Sequence, residues 1–254
     1  MVNLNGKNKK NKINMWIILF WLSIWQLVSL LIGNKIFLVG PIDVVVRLFE
    51  LIFERDFWAS ILFSFSNILL GFFIALIFSI IFSYISYRSD FFEKLFKPLV
   101  IGIKSIPVAS FIILLLIWTR SENLSRIIPQ LIVFPIFYEN LLMGLNSVDK
   151  DILEMAYVFN FSNYKKIKYI YIPYVIPYFL SSLKVCIGLS FKSGVAAELI
   201  GMPKNSIGEN LQRAKVYLMT EDLFSWTLII IFLSFISEKI LIKFFNYIYA
   251  KVYR

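Results

Sequence analysis

The sequence predicts an all-α fold, a polytopic membrane protein with about six transmembrane helices, and three observations support this class. Apolar residues make up 59% of the 254 residues, and the mean hydropathy is +0.76. Several runs contain 18 or more largely apolar residues, the length needed to cross a hydrocarbon core roughly 30 Å thick. These runs do not alternate apolar and polar residues, as the strands of a membrane barrel would.

The connections between the apolar runs are short, which leaves no room for a separate soluble domain. We therefore expect two parts: a basic cytoplasmic N-terminus, residues 1–14, and a single six-helix transmembrane domain, residues 15–254. The net charge of +10 does not indicate nucleic-acid binding, because most lysines and arginines lie between the apolar runs, where they fix membrane orientation.

Few residues of this sequence are suited to metal binding or catalysis. It contains no histidine, which removes the commonest metal ligand and the commonest general base. The single cysteine, Cys186, lies inside an apolar run, so neither a disulfide nor a cysteine-rich metal site is expected. We predict no catalytic residue, no metal site and no cofactor.

The first elements are an anchor and a surface helix. Residues 15–32 form an apolar run without a small-residue cleavage site, which is typical of a signal anchor. In the segment 34–58, apolar residues recur at helical spacing among charged ones, which predicts an amphipathic helix at the outer surface. These apolar residues are Val44, Val45, Leu48, Leu51 and Ile52.

The remaining apolar runs predict five further spans. Gly71 in the second span is expected at a helix contact, and Pro135 in the fourth is tolerated because neighbouring helices satisfy the freed backbone groups. A short basic turn is expected at 88–104 and a mixed loop at 201–223. The spans are expected at 59–87, 106–118, 126–145, 177–200 and 224–245.

The distribution of basic residues predicts the orientation of these spans. With the N-terminus inside, the inner segments hold 15 lysines and arginines and the outer segments hold 8. An excess of basic residues marks the cytoplasmic side. Both termini and the polar segment 147–176 are therefore expected in the cytoplasm, with the chain crossing the cell membrane several times.

The segment 147–176 is the one long polar interruption in the chain. Asp151 and Glu154 have the spacing of a capping box, and Asn160 suits the left-handed residue that closes a helix. Ser162 is expected to cap a second short helix that stops at Pro173. Two interpretations stay open from spacing alone: ordinary interfacial helices, or a docking surface for a cytoplasmic partner.

The same segment resembles the EAA loop of membrane subunits in binding-protein-dependent ABC importers, E-A-A-x3-G-x9-I-x-L-P. The matching positions are Glu154, Ala156, Asn160, Ile170, Ile172 and Pro173. The sequence departs from the pattern at Met155, at Asn160 in place of glycine, and at Ile172 in place of leucine. Asparagine can adopt the left-handed turn that glycine normally supplies.

The resemblance extends to permeases of the nitrate, sulfonate and taurine type, and those for thiamine-precursor pyrimidines and riboflavin are similar. It rests on Ser64 to Gly71, Lys104-Ser-Ile-Pro107-Val-Ala109, Val148-Asp149 and Val195-Ala-Ala-Glu198-Leu-Ile-Gly201. An arginine is usual in the first of these segments, where this chain has Asn67.

The resemblance implies a type I ABC importer-like permease with several partners: a second permease copy forming a homodimer in the lipid bilayer, two cytoplasmic ABC ATPase subunits and an extracytoplasmic substrate-binding protein. It also implies that the ATPase-coupling residues are Glu154, Ala156, Asn160, Ile170 and Pro173.

The fifth predicted span carries charges that are costly at membrane depth. Lys184, Lys192 and Glu198 should face protein or a water-filled cavity. Lys192 and Glu198 are six residues apart and so lie on different faces of one helix. Lys192 is either a structural partner of a carboxylate or part of a lining for an anionic solute, and we treat Lys192 and Glu198 as candidate translocation-path residues. Small residues on this helix predict close packing, including at a dimer contact: Ser190, Gly194, Ser193, Ala197 and Gly201.

Three functions are compared. The leading one is a permease subunit without catalytic chemistry, since the G-x-x-x-x-G-K-[ST] motif of nucleotide-binding proteins is absent from the sequence and ATP is handled by a partner. The alternatives are a membrane-embedded enzyme, such as a lipid-modifying transferase, and a purely structural membrane subunit.

Overall fold

A computed structural model describes residues 15–252. All regular secondary structure in this part of the chain is helical. The predicted basic N-terminus, residues 1–14, lies outside the described residues. The helices are α1 Met15–Ile32, α2 Pro41–Ile52, α3 Arg55–Arg88, α4 Asp90–Ser105, α5 Val108–Trp118, α6 Leu124–Asn146, α7 Lys150–Val158, α8 Asn163–Lys166, α9 Ile172–Gly201, α10 Ile207–Val216 and α11 Thr220–Val252. A 3-10 turn, Ser121–Asn123, precedes α6 and a π-helical turn, Ile167–Tyr171, precedes α9.

Four helical segments of the described chain are long and apolar enough to cross a membrane: Met15–Ile32, Arg55–Arg88, Ser121–Asn146 and Asn163–Gly201. The pair α4 and α5, bent by 102° at Ile106–Pro107, would make a fifth span. The all-helical, multispanning class is thus confirmed, with four or five candidate spans by length and composition.

The centre of the fold is a three-helix bundle of α3, α6 and α9, which we call the helix sheaf. α6 packs along both of the other helices, and large side chains from all three, including Phe72, Phe137 and Phe191, form the core. At Gly71 the α3 backbone passes so close to α6 that an added Cβ would lie 2.2 Å from the Arg126 carbonyl oxygen. The predicted helix contact at Gly71 is confirmed.

The small residues of α9 also pack inside this sheaf. Ser190, Ser193 and Ala197 are buried, and a Cβ on Gly194 would meet Ile68 of α3 at 2.5 Å. A Cβ on Gly201 would meet Leu124 of α6 at 2.4 Å. The predicted close packing is therefore confirmed for contacts within the chain, and the dimer contact stays a prediction.

Several sequence predictions were wrong, including the stop of the second short helix at Pro173. The predicted basic turn at 88–104 is mostly the helix α4, Asp90–Ser105, whose apolar side packs Phe96 and Val100 on Phe82 and Tyr138 while its charges face outward. The segment 201–223 contains α10, capped by Ser206, whose Oγ accepts a hydrogen bond from the Glu209 N–H. The fifth span does not start at 177, because a continuous helical segment runs from Asn163 to Gly201.

The π-helical turn explains how the helix continues through Pro173. Proline lacks an N–H and its ring clashes with the carbonyl four residues earlier in a regular helix. A π-helical turn shifts the local hydrogen-bond register. With this turn at Ile167–Tyr171, Pro173 falls in the first turn of α9, where its missing N–H costs little.

Candidate functional site

The segment 147–176 folds as a small knob with its own apolar core. Val148, Ala156 and Ile170 are buried together, and Ile152, Leu153 and Phe161 pack against them. α7 begins two residues earlier than predicted, because Asp149 and not Asp151 is the N-cap: its carboxylate accepts a hydrogen bond from the Asp151 N–H at 3.0 Å. The prediction that Ser162 caps the next helix is confirmed, as its Oγ accepts from the Lys165 N–H at 3.4 Å.

Asn160 closes α7 in the left-handed conformation, with φ of 49°. The next N–H, from Phe161, donates to the Ala156 carbonyl at 2.9 Å, which is the hydrogen bond of a Schellman closure. The sequence predicted this turn from the asparagine. Non-glycine residues with positive φ are uncommon, and asparagine is enriched among them.

The outer side of the knob exposes a set of large apolar and aromatic side chains. Between 44% and 76% of each of these residues is exposed in the single chain. We call this set the aromatic collar: Met155, Tyr157, Val158, Phe159, Tyr164, Ile167 and Tyr169. Exposed apolar surface of this kind marks a contact with another protein or with the membrane.

The ATPase-coupling residues predicted from the resemblance fall into two groups. Glu154 and Asn160 are exposed beside the aromatic collar. Ala156 and Ile170 are buried in the knob, at 0% and 4% exposure, and Pro173 is half-buried at the start of α9. The buried members therefore hold the knob together, while the exposed members lie on its surface.

The knob is joined to the helix sheaf at its base. The continuous helix from Asn163 into α9 forms one connection, and the Tyr87 hydroxyl at the end of α3 donates to the Tyr171 hydroxyl at 3.3 Å. A displacement of the knob would therefore act directly on α9, the helix that carries the charged residues in the membrane.

Glu198 and Lys192 of α9 have opposite environments. Glu198 is 0% exposed, and its Oε2 accepts hydrogen bonds from Ser64 Oγ at 2.7 Å and from the Gly208 N–H at 3.2 Å. Ser64 Oγ in turn accepts from the Ile207 N–H at 2.9 Å. Glu198 thus ties α3, α9 and α10 together.

Lys192, by contrast, is exposed on the surface of the single chain and has no ion pair within the described residues. It lines a cavity of about 490 Å³ between α9 and α11, and Glu238 of α11 lines the same cavity. The prediction that Lys192 and Glu198 lie on different faces of the helix is confirmed.

Two side chains that sequence reasoning did not use belong to these arrangements. Arg126 of α6 donates from Nη2 to Asn67 Oδ1 at 2.8 Å, so an arginine from a neighbouring helix contacts this position. The second of these side chains is Glu238 of α11, which lines the same cavity as Lys192. The signal for Glu238 was present in the sequence, since an acid inside an apolar run is costly and marks a functional position.

Comparisons with known proteins agree with these features. Residues 67–252 match the family described as binding-protein-dependent transport system inner membrane component. The nitrate import permease protein of Synechococcus elongatus is 27% identical over 71% of this chain and 68% of its own. The formylaminopyrimidine transport permease protein of Halalkalibacterium halodurans is 23% identical, over 70% and 71%. The taurine transport system permease protein of Escherichia coli is 23% identical, over 84% and 80%.

The family match covers most of the chain, including the α3–α6–α9 sheaf and the knob. In such systems the ATPase and the binding protein are separate partners, which excludes the enzyme interpretation for this chain. The chain belongs to the family of binding-protein-dependent transport system inner membrane components, the permease subunits of ABC importers.

Proposed function

We propose that two copies of this chain form the translocation path of an importer for a small solute with an anionic group, such as a sulfonate, taurine or nitrate. Both termini and the knob lie in the cytoplasm, and α11 provides the sixth span of a single transmembrane domain, residues 15–254. Its 33 residues reach about 50 Å at 1.5 Å per residue, longer than the hydrocarbon core.

The observation that carries the coupling role is the aromatic collar. Tyr157, Phe159 and Tyr164 are each about 70% exposed although the knob has a packed core of its own. The knob therefore needs no partner in order to fold, yet it keeps a large apolar surface at the end of a helix that enters the membrane. Such a surface fits the groove of an ATPase subunit, with Glu154 and Asn160 at its edge.

The path is assigned to the face that bears Lys192. A cation exposed at membrane depth is stable only where it meets water, protein or an anionic solute. Glu198 has a structural role, since its carboxylate is committed to α3 and α10. The relatives for nitrate and taurine support a solute with an anionic group. The relative for a formylaminopyrimidine supports the alternative, a thiamine-precursor pyrimidine or riboflavin.

The test is co-purification from native membranes with a tagged chain, followed by mass spectrometry. Tyr157→Ser and Glu154→Arg should each lower recovery of the ATPase subunit at least tenfold. Phe37→Ser is the matched control, because Phe37 and Tyr157 are both 76% exposed but Phe37 lies before α2 at the opposite end of the chain's helices. Equal loss in Phe37→Ser, or no loss in either knob variant, would contradict the proposed coupling surface.

The same experiment bears on the solute. A binding protein recovered with the chain can be released and its bound ligand identified by mass spectrometry. A sulfonate, nitrate or taurine would support the proposed class. A pyrimidine or flavin would replace it with the alternative, without altering the assignment of the knob.

A further inference from the structure

The cavity between α9 and α11 carries one positive and one negative side chain. Lys192 stands on α9, and Glu238 stands near the middle of α11. Both helices are in contact along this side of the bundle. The volume of about 490 Å³ falls in the range of small-molecule sites. The other lining residues are apolar or small, apart from the hydroxyl of Ser234: Gly188, Phe191, Val195, Ile230, Ile231 and Phe235.

These two charges lie at membrane depth. Lys192 is about 14 Å from the end of α9 at Gly201, on a rise of 1.5 Å per residue, which is close to half of a hydrocarbon core. No ion pair joins Lys192 or Glu238 to any described residue, although both line the same cavity. Unpaired charges at this depth mark a functional site, because lipid cannot compensate them.

We propose that Lys192, Ser234 and Glu238 bind the transported solute, and that this solute is a small zwitterion carrying an ammonium group and a sulfonate or carboxylate. The ammonium group faces Glu238 and the anionic group faces Lys192. This proposal rests on the proposed function and narrows its solute class.

The charge pattern disfavours the other ligand classes. A simple anion would pair with Lys192 but would be repelled by Glu238, and a simple cation would meet the opposite problem. A neutral solute would bridge neither side chain, and Lys192 and Glu238 do not reach each other within the 4 Å of an ion pair. Only a ligand with both signs of charge compensates the two side chains together.

The test measures binding directly, on the purified chain with its ATPase subunits in lipid nanodiscs and without the binding protein, which would impose its own selection. Three probes of matched size are compared: 2-aminoethanesulfonate, ethanesulfonate and ethylammonium. The dissociation constant of each is obtained from the rise in thermal stability with ligand concentration, since a ligand that binds the folded state raises its stability.

In the wild type, 2-aminoethanesulfonate should bind at least tenfold more tightly than ethanesulfonate or ethylammonium. Glu238→Gln should abolish this preference while leaving ethanesulfonate binding unchanged or tighter, and Glu238→Asp should retain part of it. Lys192→Gln should weaken both sulfonates. Control variants outside the cavity, Lys184→Gln and Glu139→Gln, should bind all three probes like the wild type.

Equal binding of the zwitterion and ethanesulfonate by the wild type, or a preference that survives in Glu238→Gln, would overturn the proposal. So would the absence of binding by every probe. In each case the ATPase subunits present in the same preparation, and their loss in Tyr157→Ser, would show that the proposed coupling role still holds. Loss of the ATPase subunits from the wild type would instead count against the proposed function as a whole.

Discussion

The two ends of the helix sheaf differ in how far their polar and apolar groups find partners inside the chain. At the end that we place outside the cell, α2, α10 and the start of α11 are tied down by side-chain bonds. Arg47 pairs with Asp222, Glu50 and Glu54, and Lys35 pairs with Asp43 and Glu221 at 3.0 and 3.3 Å. Among the described buried atoms at this end, only Glu198 Oε1, Ser125 Oγ and Arg126 Nε lack a hydrogen-bond partner.

The knob at the other end has the opposite character. Its core is small, its side-chain hydrogen bonds are mostly caps within the knob itself, and the aromatic collar is exposed. The difference indicates that the outer end and the knob have different roles. The outer end also exposes apolar side chains, such as Phe53 and Trp118, but ion pairs and hydrogen bonds join its helices to one another, whereas the exposed side chains of the knob lie on a segment with few such bonds. Changes at the outer end should therefore lower stability, and changes at the knob should affect coupling.

The largest effect on stability is expected from Gly71→Ala, at the closest approach of α3 and α6. The new Cβ would lie 2.2 Å from a backbone oxygen of α6, which cannot move aside as a side chain would. Overpacking typically costs about 1–3 kcal/mol, and the upper end is expected here because the oxygen belongs to the backbone. The measurement is the free energy of unfolding in detergent micelles.

Gly102→Ala is the matched control. Gly102 is also a helical glycine, but an added Cβ meets nothing within 4 Å. Alanine is favoured over glycine in a helix by up to about 1 kcal/mol, so this variant should be as stable as the wild type or slightly more stable. Equal destabilisation by both substitutions would contradict the close contact at Gly71.

A smaller loss is expected from Ser64→Ala. The Ser64 hydroxyl donates to Glu198 and accepts from the Ile207 N–H, and its removal leaves both groups buried without that partner. Glu198 Oε2 keeps its hydrogen bond from the Gly208 N–H, so the Ile207 N–H is the buried group left unpaired, at a cost of about 1–3 kcal/mol. Ser66→Ala is the control, because Ser66 is exposed and bonds only to the Phe63 carbonyl in its own helix.

The readout for Ser64→Ala is amide hydrogen exchange in α10, which should become faster while exchange in α7 stays unchanged. Faster exchange in α7 as well would mean that the two ends are not independent. An unchanged α10 would mean that the Ser64 hydroxyl does not hold this helix to the sheaf.

The sequence predicted those features that depend on local chemistry. Length and apolarity located α1 and α3, and the asparagine at 160 predicted the left-handed closure of α7. Features set by distant contacts could not be predicted. The helix α4 is not among these features, because Phe92, Phe96, Val100 and Ile103 recur at helical spacing and could have indicated it. The burial of Glu198 depends on Ser64 and Gly208. The position of Lys192 and Glu238 in one cavity depends on how α9 and α11 pack.

The smallest expected effect on stability concerns the knob alone. Asn160→Val places a β-branched residue at φ of 49°, which costs about 1–2 kcal/mol locally, whereas Asn160→Gly removes the steric constraint altogether. Asn160→Val should speed proteolysis within 150–162 and lower ATPase recovery, with the unfolding of the sheaf unchanged. Asn160→Gly should match the wild type in both respects. A fall in sheaf stability in Asn160→Val would show that the knob and the outer end share one cooperative unit, because the substitution makes no contact beyond the knob.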